Sequence, residues 1–126
     1  MKSFSKILAV LSLLLLSALP ANAERILLRV SFAPDETTLS KKAEQQLLAF
    51  ATDLKTSVAR IELQAFAGDA GSVTSTQRRI SLRRALVVRQ LLLDQGIPQE
   101  RMDVRALGGA TGNTPLDRVD ILQVGQ

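Results

Sequence analysis

The sequence predicts a two-layer α/β sandwich of βαβαββ order, with helices packed on one face of a mixed sheet. Segments of alternating polarity take turns with segments of helical periodicity, and cap and turn residues stand at the joints between them. After an unusual first segment, roughly 100 residues remain, enough for one hydrophobic core and too few for two.

That first segment, MKSFSKILAVLSLLLLSALPANA, opens with Lys2 and Lys6, continues as an apolar run over 7–19, and ends in the small-x-small pattern Ala21-Asn22-Ala23. This is the grammar of a cleavable secretory signal peptide over 1–23, so residues 24–126 are expected to form the exported domain. The apolar run is shorter than the approximately 20 residues of a comfortable membrane span, and no second such run follows.

Residues 25–32, RILLRVSF, read as a strand before the turn pair Pro34-Asp35. Ser40 is placed to cap a helix on which Ala43, Leu47, Phe50, Ala51 and Leu54 share one face, with Glu44 in its first turn. Residues 59–67 alternate, with Ile61, Leu63 and Ala65 on one side and Arg60, Glu62 and Gln64 on the other. Gly68, Asp69, Gly71 and neighbouring Ser and Thr form a loop. A second helix starts near Ser75 or Thr76 and runs through Leu93, stopped by Gly96 and Pro98. Residues 102–107 alternate again, 108–115 form a Gly-rich connector, and RVDILQV from Arg118 is the fourth strand.

Composition narrows the chemistry. Histidine, cysteine, tryptophan and tyrosine are all absent. The chain therefore lacks the imidazole base, the usual zinc ligands and any thiol for a disulfide or lipid anchor, and no enzyme activity, cofactor or metal is expected. Sixteen basic residues face twelve acidic ones, and the leader holds two of the sixteen. So small an excess gives no reason to expect nucleic acid as a partner. GGATGNTP lacks the lysine and following helix of a phosphate loop, and GDAGS has no histidine to activate its serine. Asp69, Asp103, Asp117 and Asp120 lack calcium-loop spacing.

The arginines of the second helix are the remaining signal. Arg78, Arg79, Arg83 and Arg89 fit a solvated face, whereas Arg84 stands at the margin of the stripe formed by Ile80, Val87, Val88 and Leu91. There it either lays its stem along the core or reaches over the preceding loop, which contains Asp69. In the second case guanidinium, carboxylate and the free amides of the first helical turn would converge on one concave spot suited to a small zwitterion. In the first case Asp69 is ordinary turn chemistry.

The stretch VSFAPDETTLSKKAEQQL, followed by RRISLRRALVVRQLLLDQGIPQERMDVRALG, resembles the OmpA-like peptidoglycan-binding domain family over about residues 25–124. Ser81-Leu82-Arg83-Arg84-Ala85 and Ala106-Leu107-Gly108 are the most specific parts. The resemblance implies an α/β sandwich in the periplasm, associated with the outer membrane, that holds the diaminopimelate group of the peptidoglycan stem peptide without a covalent bond. The family's arginine before alanine falls on Arg84, its aspartate falls on Asp69 in an ungapped register, and Arg118 is an auxiliary ligand residue. Phe66-Ala67-Gly68 replaces the family's Gly-(His or Tyr)-Thr, Gln77 replaces an asparagine, and Leu116-Asp117-Arg118 replaces Asn-Arg-Arg, reversing one charge. If the aromatic position is matched to Phe66 instead, the aspartate position falls on Gly68. These departures keep a second reading open, in which the module has lost peptidoglycan and binds another envelope protein.

Overall fold

The computed structural model of the chain describes residues 25–68, 74–109 and 115–125. The expected leader over 1–23 lies outside them. The elements run β1 (Arg25–Ser31), α1 (Lys41–Lys55), β2 (Arg60–Phe66), α2 (Ser75–Asp94), β3 (Met102–Gly108) and β4 (Arg118–Val124). The predicted βαβαββ order is the observed one.

Local chemistry sets the helix ends. Ser40 Oγ accepts from the Ala43 amide at 3.1 Å and opens α1. Thr74 opens α2 through a reciprocal capping box, its hydroxyl accepting from the Gln77 amide while its own amide donates to Gln77 Oε1. At the other end Gly96 takes φ 94°, and the Ile97 amide turns back onto the Leu92 carbonyl at 3.0 Å. A side chain with a Cβ would be strained there, which is why the periodicity stops at this glycine. A three-residue 3₁₀ turn, Gln99–Arg101, follows and was not predicted. Arg101 fixes it by donating to the carbonyls of Leu54 and Ala59, both at 3.0 Å.

The four strands form one sheet in the order β1-β4-β2-β3. β4 runs antiparallel to both β1 and β2, and β2 runs parallel to β3 across the α2 crossover. Ile61, Leu63, Ala65, Val119 and Ile121 bury their side chains in the same core as Leu47, Ala51 and Leu54 of α1 and Ala85, Val88 and Leu92 of α2. The alternation read from residues 59–67 is therefore the core-facing alternation of β2.

The other face of the sheet is polar and tightly paired. Asp120 accepts from Arg29 Nε at 2.7 Å and from Arg118 Nε at 3.0 Å, and the Arg118 guanidinium lies over the Phe66 ring at 4.0 Å. The hydrogen bond from Arg29 to Asp120 raises the Arg29 pKa above its ordinary value, with burial opposing the shift. Among the described residues no helix is long and apolar enough to cross a membrane.

Candidate functional site

Arg84 sits on the buried face of α2 with Ser81, Ala85, Val88 and Leu92. Its side chain has no surface open to solvent. A buried guanidinium is tolerated only where its donors and its charge are met. Here Nε donates to the Glu36 carbonyl at 2.7 Å, Nη2 to the Ala33 carbonyl at 3.1 Å, and Nη1 to the Phe66 carbonyl at 3.0 Å and to Asp117 Oδ1 at 2.8 Å. Four of its five N–H groups are thus engaged. The Phe32 ring, 5.1 Å away, covers the guanidinium further.

The turn after β1 is shaped for this. Asp35 adopts φ 61°, a left-handed conformation that Asp tolerates better than most residues, and the Glu36 amide donates to the Ala33 carbonyl at 3.1 Å. Ala33 and Glu36 can then both turn their carbonyls toward Arg84. One helix side chain so ties together the β1–α1 turn, the end of β2 and the approach to β4.

Asp117 is the counter-charge. Its Oδ1 accepts from Arg84 and from the Gly68 amide at 3.1 Å, while its backbone carbonyl takes the Phe32 amide at 3.0 Å. Gly68 has φ 73°, and a Cβ there would come within 3.0 Å of Gln77 Nε2. Only glycine brings that amide to Asp117 without strain.

Above this group opens a pocket of about 420 Å³, lined by Asp35, Gly68, Thr74, Gln77, Ile80 and Asp117 among others. Arg84 also borders it, with its side chain closed off from solvent. The charges that reach the opening are the carboxylates of Asp35 and of Asp117, whose side chain is 19% exposed. Asp117 Oδ2 has no hydrogen-bond partner among the described residues. The pocket therefore offers an ammonium group a charged acceptor and offers other polar groups the hydroxyls of Thr74 and Thr76. No cluster of metal-ligating residues occurs among the described residues.

A model of the OmpA family matches residues 31–118. The chain belongs to the OmpA family. Its fold is similar to that of the OmpA-like domain of FopA1 from Francisella tularensis, at 21% identity and a TM-score of 0.62, over 75% of this chain and 68% of that one. It is similar also to the peptidoglycan-associated lipoprotein from Burkholderia pseudomallei, at 20% identity and a TM-score of 0.64, over 75% and 88% of the two chains. The C-terminal domain of Helicobacter pylori MotB aligns at 13% identity and a TM-score of 0.66, over 79% and 87%. No curated protein matches the chain.

Within this OmpA domain the residues predicted from sequence are distributed unevenly. Arg84 is at the pocket, buried under it. Arg118 stands apart, on the sheet face turned away from the helices, where it pairs with Asp120, donates to the Pro115 carbonyl and stacks on Phe66. Asp69 lies outside the described residues, although Gly68, next to it in the chain, lines the pocket. Arg78, Arg79 and Arg83 are exposed and Arg89 is half-buried. The residue that sequence reasoning missed is Asp117. Its charge was visible as a reversal of the family pattern, but its contact with a side chain 33 positions away was not.

Proposed function

We propose that this OmpA domain binds peptidoglycan non-covalently, as a non-enzymatic attachment module of the cell envelope, and that the pocket over Arg84 receives the stem peptide. The observation that carries the reading is the coincidence of family membership with an open polar pocket directly above the arginine singled out in the sequence. The leader expected over 1–23 would deliver the domain to the periplasm, where that wall lies, with the outer membrane alongside.

The diaminopimelate group carries both an ammonium and a carboxylate. The resemblance assigns the carboxylate to Arg84, but Asp117 already occupies Nη1 at 2.8 Å. A ligand carboxylate must open the wholly buried guanidinium and compete with Asp117 for it, whereas the Asp117 carboxylate is itself partly exposed to a ligand ammonium. We therefore assign the ammonium to Asp117, with Arg84 positioning that carboxylate. Asp69 remains a ligand candidate as the residue following Gly68. Arg118 acts, on this reading, by bracing Phe66, whose carbonyl Arg84 also holds.

The burial of Arg84 and its pairing with Asp117 also favour a second reading, in which the module has given up peptidoglycan for another envelope protein. Sedimentation of residues 24–126 with purified sacculi separates the two. Under the first reading the wild type co-sediments, free diaminopimelate competes, Asp117→Asn weakens binding when compared at a temperature where circular dichroism shows both proteins folded, and Arg79→Gln has no effect. A wild type that stays in the supernatant sinks the first reading and leaves the second.

A further inference from the structure

The outer side of α2 plays no part in the pocket, yet it has a marked character. Over its length the helix carries Arg78, Arg79, Arg83 and Arg89 away from the core and no carboxylate before Asp94. None of the ion pairs formed among the described residues involves any of these four arginines. Arg89 keeps a buried Nε without a hydrogen-bond partner among the described residues. Between the arginines, Leu82 and Leu86 project one turn apart, 42% and 41% exposed.

We infer that this face of α2 is a docking surface for an anionic lipid bilayer, with Leu82 and Leu86 entering the headgroup layer and the arginines meeting lipid phosphates. Charge complementarity selects an anionic partner. The paired leucines select lipid over a hydrated acidic polymer, since a polymer dissolved in water gives them nothing to bury against. Arginine stems lie along apolar surface while their guanidinium groups reach outward, which matches a helix lying flat in the interface. The opposite side of α2 is held in the core, so contact through the outer face lays the axis parallel to the membrane. From Arg78 to Arg89 the contact spans about 16 Å of helix.

Flotation of residues 24–126, which lack the apolar leader and its two lysines, with vesicles of phosphatidylcholine alone, and of phosphatidylcholine mixed with phosphatidylglycerol, tests the assignment. The wild type should float preferentially with the anionic vesicles, and Arg79→Gln/Arg83→Gln should weaken that partition about thirtyfold. Lys41→Gln/Lys42→Gln, which removes the same charge from exposed positions on α1, should leave it nearly unchanged. Leu82→Ser/Leu86→Ser should weaken it at constant charge. Equal binding to both kinds of vesicle, equal losses for the arginine and lysine pairs, or no effect of the leucine pair would each overturn the proposal.

Discussion

Replacing Arg84 by methionine keeps much of the stem's volume and removes the guanidinium. Four hydrogen bonds disappear with it, to Glu36, Ala33, Phe66 and Asp117. A bond from a charged donor contributes about 1.5–3 kcal/mol, but the losses do not simply add. Ala33 and Glu36 belong to an exposed turn whose carbonyls water can reach once the arginine is gone, and Asp117 is partly open to solvent. The Phe66 carbonyl is worst placed to recover. Breaking a buried pair by removing one partner costs about 3–5 kcal/mol, and this is the expected loss. It is a large share of the about 5–15 kcal/mol available to a domain. For a domain near 100 residues, such a loss lowers the Tm by about 15–30 °C. Thermal and urea unfolding followed by far-UV circular dichroism would measure it, with Arg79→Met as an exposed control expected to stay within about 0.5 kcal/mol of wild type. If Arg84→Met unfolds alongside that control, the guanidinium is not what joins the turn, β2 and β4, and the structural role assigned to it fails.

Three further substitutions probe neighbouring parts of the same framework. Gly68→Ala forces a Cβ onto a φ of 73° and within 3.0 Å of Gln77 Nε2, and should cost about 1–2 kcal/mol in urea unfolding. Ser81→Ala deprives the Gly108 amide of the hydroxyl that accepts from it at 3.2 Å inside the protein, with an expected loss of about 1–3 kcal/mol and faster hydrogen exchange at Gly108. Asp120→Ala leaves the buried Arg118 without its counter-charge and should cost about 3 kcal/mol by the same unfolding assay, whereas Asp103→Ala, which breaks only the exposed pair with Arg60, should cost under about 1 kcal/mol.

The elements whose signals are local were legible in the sequence. The Ser40 cap of α1, the start of α2 at Ser75, the glycine stop at Gly96 and the alternation of β2 depend on residues a few positions apart, although Thr74 as the cap of α2 was not read. The 3₁₀ turn at Gln99–Arg101 is too short to show a period, and the bonds that hold it reach back to Leu54 and Ala59. At the site the same division holds. Arg84 could be singled out because it breaks the pattern of an apolar helix face, but its complete burial depends on carbonyls from the β1–α1 turn and β2 that no helical wheel displays. Asp117 had a visible charge and no visible purpose, since its partner is supplied by the fold. The buried charges of β4 were hidden for a similar reason. Asp120 and Arg118 stand two apart in β4, and nothing local shows that Arg29 and Phe66 from the flanking strands enclose them.

The position of β4 has a consequence for how the chain comes to be folded. The latest in sequence of the described elements supplies the second position of the sheet and is the sole bridge between β1 and the β2–β3 pair. Arg25 waits for Gln123, and Arg84 waits for Asp117. Without residues 118–124 only β2 and β3 can pair, and β1 has no neighbouring strand, so its backbone groups stay with water. Contacts this distant in sequence close late and slowly. Closure of the sheet is therefore withheld until residues 118–124 are at hand, which leaves an interval in which everything before them is still a thread.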